Sequence, residues 1–274
     1  MAKLDSGSPF KMTVITIVRN GMPYIEQTIK SVINQQYRNI EYIVIDGGST
    51  DGTVETIKRY ESGISKWVSE KDDGISDAFN KGLSFASGDY VLMLNSDDAL
   101  ASQNVLSVMS ERIVENNFPQ LIYGNYNILK RSTGEISYHG VVNLTRKGMM
   151  RGQVLPHPCL FTHRSYFEKY GRFDPQYKIA MDYEWLLRGG LVERIVHVPQ
   201  LVSNIRDGGI STLDHKKVVD EIISALKKNH LLRSTLDEYR MRGYFYVRSL
   251  LRKVLNLIGL YKFFFAIRNR LKNG

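Results

Sequence analysis

The residues of this chain best suited to chemistry are Asn95-Ser96-Asp97-Asp98, a small polar run with two adjacent carboxylates that closes an apolar stretch beginning at Tyr90. Carboxylates held side by side repel each other and are costly to keep charged without a cation. A hard divalent ion with oxygen ligands relieves that repulsion and keeps positions open for phosphate oxygens. The chemistry on offer is that of a metal–diphosphate site. The plainer alternative is a strand followed by an acidic N-cap, at Asp97 or Asp98, for a helix after Ser102. Asp46 ends another apolar run and can accept hydrogen bonds from the edge of a base or a ribose. Asp182 lies just ahead of Trp185-Leu186-Leu187. It is either a helix-start aspartate satisfying backbone amides or a carboxylate that takes a proton. Glu184, two residues on and so on another side of a helix, is its understudy.

These residues need elements that bring them together. Met12–Val18 is β-branched and apolar, as a central parallel strand requires. Arg19-Asn20-Gly21 turns the chain, Pro23 suits a first helical turn, and Ile25, Ile29 and Val32/Ile33 keep helical spacing to about Gln36. A strand over Ile40–Ile45 leads into the glycine-rich loop Asp46–Thr53, followed by a helix to Tyr60 and a short strand over Lys66–Ser69. Asp72–Gly82 opens a helix that ends near Gly88, with Ile75, Ala78/Phe79 and Leu83 facing a core and Asp77 and Lys81, four apart, sharing another face. Strand and helix alternate through the first hundred residues, which predicts a doubly wound, mostly parallel sheet. The C-terminal ends of such strands form the crevice where ligands bind. No G-x-G-x-x-G follows the first strand and no phosphate-loop G-x-x-x-x-G-K-[ST] occurs, which disfavours dehydrogenases and P-loop enzymes.

Beyond this half, residues 121–126 and 136–142 alternate apolar and polar as antiparallel strands do. Pro156 and Pro158 make a stiff extended loop around His157. That histidine is read as structural, with contact to phosphate or metal as the alternative. Arg206–Ser211 reads as a loop bearing one cation, either a lid or a surface turn. His215–Leu232 has the spacing of a helix that packs back on the domain.

The 274 residues are 43% hydrophobic, enough for a sizeable core, and disorder is disfavoured. One cysteine, Cys159, rules out an intramolecular disulfide and a four-cysteine zinc site, so a reducing compartment is expected. Neither a signal peptide nor a run of about 18 apolar residues is found. Of the 37 basic residues, nine lie after Tyr239, where no Asp or Glu occurs; the remaining 28 balance the 28 acidic residues. The excess charge thus belongs to the C-terminal segment, and a neutral body with paired acids argues against nucleic acid.

Val14–Asn20, Asp46–Gly52, Gly74–Gly82, Leu94–Asp98, His157-Pro158, Gly171–Asp174 and Ala180–Arg188 together resemble the family 2 glycosyltransferases over roughly residues 12–210. The resemblance implies an inverting GT-A enzyme using a nucleotide-sugar donor, with UDP expected. It implies nucleotide-sugar contacts from Val18, Arg19, Asp46 (to the base), Asp77, Lys81, Ser96, Asp97 and Arg206, a Mn²⁺ or Mg²⁺ ion on Asp98, and Asp182 as catalytic base. Three positions depart from the family pattern: Asn95 replaces an acid, Phe79 an arginine, and Met181 the acid before the base. Lys81 or Arg206 is then left to meet the diphosphate charge. The implied acceptor is a glycan or a lipid-linked glycan of bacterial surface polysaccharide; a sugar-phosphate nucleotidyltransferase is the alternative, although Arg19-Asn20-Gly21 is short for its glycine-rich basic loop. The expected organisation is a tail over 1–11, a GT-A domain over 12–212 and a basic amphipathic helical region over 213–274. From Leu250 onward a helix would gather Leu251, Val254, Leu257 and the aromatics after them on one face. Such a helix suits the cytoplasmic face of an anionic membrane; the alternative is packing on the domain or in a homodimer.

Overall fold

A computed structural model describes residues 10–208 and 214–257. Among them nine strands form one sheet: β1 (Met12–Val18), β2 (Ile40–Asp46), β3 (Lys66–Ser69), β4 (Tyr90–Asn95), β5 (Ala99–Leu100), β6 (Leu121–Leu129), β7 (Ile136–Gly140), β8 (Leu160–His163) and β9 (Ile195–Arg206). Their order is β3-β2-β1-β4-β8-β6-β9-β5, with β7 hairpinned onto β6. Strands β3, β2, β1 and β4 run parallel, and β8 lies antiparallel between β4 and β6. The sheet is thus the mostly parallel, doubly wound one that the alternating pattern implies.

Every residue of β1 is buried, because helices cover both faces of the strand. Successive side chains of a strand point to opposite faces. Met12, Val14 and Val18 join Tyr42, Val44, Leu92 and Leu94 against α1 (Ile25–Ile33), α2 (Thr53–Arg59) and α4 (Val105–Glu115). Ile15, Ile17, Ile43, Ile45 and Met93 face α3 (Ile75–Phe85). That second core is continuous with α6 (Arg164–Tyr170), α7 (Met181–Gly189) and α8 (His215–Lys228). The remaining helices are the short α5 (Arg146–Met149) and the long α9 (Thr235–Leu257). Helices α1 to α3 end one to three residues earlier than their apolar spacing suggests, and Pro23 lies in the turn before α1, not inside it.

Register brings the site residues together. Val18 pairs with Asp46 and Ile17 with Asn95, so the C-terminal ends of β1, β2 and β4 open side by side where the strand order reverses. The extra strands build a second wall. Asn127–Leu129 of β6 runs parallel to Asn204–Arg206 of β9, and β5 pairs with β9 through Ala99↔Asn204 and Leu100↔Ser203. Two residues after Asp98 are therefore stitched to the end of β9. No helix among the described residues is long and apolar enough to cross a membrane.

The register between β6 and β9 shifts across Gly124 and again between Asn125 and Tyr126. A Cβ on Gly124 would sit 2.4 Å from the Gln200 carbonyl oxygen and 2.5 Å from Val202 Cγ2. Backbone cannot rotate aside as a side chain can. Gly124→Ala is therefore expected to force the strands apart and destabilise the fold by about 1–3 kcal/mol, as overpacking does. Urea unfolding of the variant beside the wild type checks it.

Candidate active site

Val18, Arg19, Ser96 and Asp97 from the strand ends and Asp182 from α7 line one cleft of about 730 Å³. Asp72, Asn95, Arg131, His157 and Lys178 share its walls, and Val218 and Ile222 of α8 close its far side. Asp97 and Asp182, 85 positions apart in the chain, thus face the same space.

The two adjacent carboxylates are sorted by the turn that follows β4. Asp98 donates its amide to the Asn95 carbonyl (3.1 Å) and is only 1% exposed. Its Oδ1 accepts from the Arg206 amide (3.1 Å) and its Oδ2 from Asn95 Nδ2 (3.0 Å). Burial, reinforced by the neighbouring Asp97 charge, pushes the Asp98 carboxyl up to about 7. Asp98, the residue expected to hold the metal, is thus placed under the surface, where its oxygens clamp β9 to the end of β4. Asp97, with a side chain 27% exposed, is the member of the pair that meets the cleft, where it forms an ion pair with Arg131.

A divalent cation must therefore be weighed against Asp97. No cluster of three or more His, Cys, Asp or Glu able to hold a metal occurs among the described residues. A metal arriving on a diphosphate needs less, because Mg²⁺-type ions are commonly held by one or two carboxylates together with substrate phosphates and water. Asp97 already attracts a cation onto its exposed oxygens and sits beside the Ser96 hydroxyl. That donor set fits a metal completed by donor phosphates.

Asn95 departs from the usual acid for a reason visible in its contacts. Its Nδ2 donates to Asp98, while its Oδ1 lies 3.1 Å from His157 Nε2. An ionised carboxylate there could not donate to Asp98 as the Nδ2 amide does. His157 sits on a short 3-10 turn (His157–Cys159), its ring edge-on to Phe79 at 5.5 Å between centroids. Phe79, in place of an arginine, thus supports the histidine. His157 Nδ1 is 3.8 Å from Asp182 Oδ2, an ion pair when the ring is protonated. The histidine read as structural therefore links the strand-end residues to the carboxylate of α7.

Asp182 lies in the first turn of α7 with Oδ1 accepting from the Tyr183 amide (2.7 Å) and its side chain 24% exposed. Met181 before it is buried and accepts a 3.0 Å contact from Ser76 Oγ, so this position anchors the helix start on α3. Glu184 is fully buried and paired with Arg188 and with Lys228 (2.9 Å). It cannot serve as understudy to Asp182.

Other expected contacts are redistributed. Asp46 is buried, and its carboxylate accepts from the amides of Gly48 (3.2 Å) and Ser49 (3.0 Å) and from the hydroxyls of Ser49 and Ser69 (2.6 Å to the latter). Oδ2 takes three of these bonds and Oδ1 only that of the Ser49 hydroxyl, so Asp46 organises the loop around it. Asp77 accepts from the Asp73 amide (3.2 Å), and Lys81 pairs with Glu70 (2.7 Å); neither lines the cleft. Arg206 is the last residue of β9 and not a loop cation: Nη1 donates to the Asp97 carbonyl and Nη2 to Gln27 Oε1, both at 2.7 Å. Residues 209–211, the rest of that expected loop, lie outside the described residues.

Three cleft residues escaped the sequence reading: Asp72, Arg131 and Lys178. Asp72 helps set the loop before α3 by accepting from the Gly74 amide (3.0 Å), and Gly74 has φ +114°, a conformation that favours glycine. The C-terminal region also contributes. Helix α8 packs back on the domain as its spacing predicts, and there Glu221 accepts three consecutive amides, Lys178 (3.1 Å), Ile179 (2.8 Å) and Ala180 (2.8 Å). Only the acidic residue facing inward near Val218 and Ile222 hinted at this. A helix placed by sequence beyond the domain boundary at 212 thus holds the segment that delivers Asp182.

With this geometry established, comparison with known proteins is informative. A profile described as glycosyl transferase family 2 matches residues 13–171. An uncharacterized glycosyltransferase of Mycobacterium tuberculosis is 36% identical over 183 residues, covering 66% of this chain and 69% of that protein. A PGL/p-HBAD biosynthesis glycosyltransferase of Mycobacterium bovis is 27% identical over 207 residues, 73% of this chain and 78% of that one. Among solved structures, residues 1–349 of S. aureus TarS in complex with UDP-GlcNAc superpose with TM-score 0.64 at 18% identity, covering 84% of this chain and 69% of that one. This chain spans 41% of a longer TarS chain. A mannosyltransferase of Pyrobaculum calidifontis in complex with GDP-Man and Mn²⁺ gives TM-score 0.59 at 17% identity, covering 86% and 70%. These likenesses establish the GT-A type of fold.

Removing the Glu221 carboxylate leaves three amides without their charged acceptor. Glu221→Ala is expected to cost about 1–3 kcal/mol in stability and to lower turnover more than donor affinity, since the freed segment carries Asp182. Denaturation together with separate kcat and donor KM measurements checks both.

Proposed function

The chain belongs to glycosyl transferase family 2, and we propose that within it this enzyme is an inverting, divalent-metal-dependent transferase. It moves a sugar from a nucleoside-diphosphate donor, with UDP-sugar as the first candidate, to a hydroxyl of a glycan or lipid-linked acceptor in bacterial surface polysaccharide. The nucleotidyltransferase alternative falls with the family. One observation carries the reading: Asp97 and Asp182 line the same cleft, one where the strands end and the other on the wall formed with α8. The donor-bound relatives, TarS with UDP-GlcNAc and the mannosyltransferase with GDP-Man and Mn²⁺, support the choice of donor and ion.

Asp182 takes the proton of the acceptor hydroxyl as that oxygen attacks the anomeric carbon. The bond from carbon to the diphosphate oxygen breaks on the opposite side, its electron pair leaves with the nucleoside diphosphate, and the sugar inverts. His157, 3.8 Å from Asp182 Oδ2, orients the carboxylate. Val18 and Arg19 border the donor end, and Asp46 serves it through the loop it holds. Mn²⁺ or Mg²⁺ on Asp97, when bound, stabilises charge on the leaving diphosphate.

The basic C-terminal region docks the enzyme on the cytoplasmic face of an anionic membrane. In support, Phe245 of α9 is buried, but Leu250, Leu251, Val254 and Leu257 stand exposed, the last at 90%. Among the described residues nothing covers these apolar side chains, and Arg248 and Lys253 share their stretch of helix. Residues 258–274, which hold the rest of the expected amphipathic face and its aromatics, lie outside the described residues.

Asp182→Asn keeps the shape but cannot take a proton, and its kcat is expected to fall by about 10²–10⁴. Binding of the donor, identified first by thermal shift across nucleotide sugars with and without Mn²⁺, should stay within a few-fold. If Asp182→Asn is fully active, the base is elsewhere. Truncation after Val247 spares Phe245 and removes seven of the nine C-terminal cations. Each contributes about 1 kcal/mol near an anionic surface. The full chain should sediment with anionic vesicles at low salt and be released at high salt, and the truncated chain should stay in solution. Equal binding by both would sink the membrane assignment.

A further inference from the structure

Arg131 belongs to none of the recognisable motifs, yet its guanidinium is the cation that sits on Asp97. The residue occupies the turn between β6 and β7, and that turn is fastened independently of the ion pair. Its backbone amide donates to Asp207 Oδ1 (2.9 Å), its carbonyl accepts from the Tyr24 hydroxyl (3.3 Å), and Nε donates to the Asp207 carbonyl (3.1 Å). Of the five guanidinium N–H groups, Nε–H and one on Nη2 are taken by Asp207 and Asp97, and the group also bonds the Tyr24 side chain. The side chain is 38% exposed and borders the cleft.

Arg206 stands beside it in a different condition. Both guanidinium carbons lie over the Tyr24 ring, Arg206 at 4.3 Å from the centroid and Arg131 at 5.2 Å. Arg206 is bound to the Asp97 carbonyl and to Gln27 and holds its place through the strand. Two guanidinium groups thus stand beside Asp97, Arg131 on its carboxylate and Arg206 on its backbone carbonyl. A divalent ion brought to Asp97 on its own would meet two positive charges at short range. The same ion arriving with a diphosphate brings anionic oxygens that both it and a guanidinium can share.

We propose that Arg131 is a donor-binding residue that occupies Asp97 until the donor and its cation arrive and then passes its guanidinium to the diphosphate. Arg131 so supplies the charge that family members carry at the position of Phe79. Planar N–H pairs match phosphate oxygens better than an ammonium does. This rests on the donor-site reading given above. Its consequence is a pair of opposed effects from one substitution: without Arg131 the free enzyme binds the metal alone more tightly, yet binds the nucleoside diphosphate more weakly.

The test compares wild type, Arg131→Met, which keeps the length and loses the charge, and Arg131→Lys, which keeps the charge and loses the fork. Mn²⁺ binding to donor-free protein is read by electron paramagnetic resonance of the free ion, and UDP and GDP binding at saturating Mn²⁺ by calorimetry. Arg131→Met should bind Mn²⁺ alone several-fold more tightly, because the competing ion pair is gone. Its nucleotide affinity should fall about tenfold to a hundredfold, as loss of a charge-assisted hydrogen bond does. Arg131→Lys should keep Mn²⁺ binding near the wild-type value while losing part of the nucleotide affinity. Thermal midpoints within a few degrees of wild type confirm folding; if Arg131→Met does not fold, Arg131→Lys alone decides through its nucleotide affinity. Unchanged or weaker Mn²⁺ binding in Arg131→Met, or unchanged nucleotide affinity, overturns the role of Arg131 and leaves the donor site standing. A wild type that binds neither nucleotide with Mn²⁺ overturns both.

Discussion

Two carboxylates next to each other at the end of β4 cannot both face a cleft and stay charged at low cost. The structure resolves this by sending them to opposite sides of one tight turn. Asp98 is drawn under the surface, where the amide of Arg206 and the amide side chain of Asn95 occupy its oxygens. Asp97 is left at the cleft with a guanidinium upon it. The rest of the site depends on this separation. The buried carboxylate ties β4 to β9, β9 sets Arg206 against the Asp97 carbonyl, and Asn95 passes the order on to His157 and so towards Asp182.

The departures from the family pattern then read as one arrangement. Asn95, Phe79 and Met181 each stand where a charged residue is usual, and each makes a contact a charge could not make as well. Asn95 offers a donor to one side and an acceptor to the other, Phe79 packs its ring on the histidine, and Met181 sits in the core against Ser76. Charge removed from these motif positions reappears on residues from outside the motifs. Arg131 comes from a hairpin turn, Lys178 from the segment before α7, and Glu221 from α8. The wall of the cleft that carries Asp182 is accordingly a joint product of the domain and the helix that follows it.

Much of the fold was legible because local signals agree. The burial of β1 on both faces follows from its unbroken apolar run, and β6 and β7 pair antiparallel as expected, although only Tyr126–Leu129 meets β7 and Leu121–Tyr123 lies buried between β8 and β9. Asp182 at a helix start and the carboxylate pair at a strand end were visible for the same reason: spacing along the chain fixes secondary structure and which end of an element a residue occupies. The strand β9 was not foreseen, and its last residue, Arg206, was read as part of a loop because a glycine pair follows Asp207.

By itself the sequence determined the layered α/β architecture, the crevice at the strand ends, the carboxylate pair at the end of one strand and Asp182 at the start of a helix. These depend on hydrophobic periodicity and on short motifs, which act within one element and its neighbour. Only the tertiary structure decided which carboxylate of the pair faces the cleft, that Asp46 organises the loop around it, that Glu184 is an internal ion-pair partner, and that Arg131 and Glu221 belong to the site. Each of those depends on hydrogen bonds between segments far apart in the chain, from 23 residues for Ser69 to Asp46 to 108 for Arg206 to Asp98. A side chain's charge is written in the sequence, but its partner is chosen by packing.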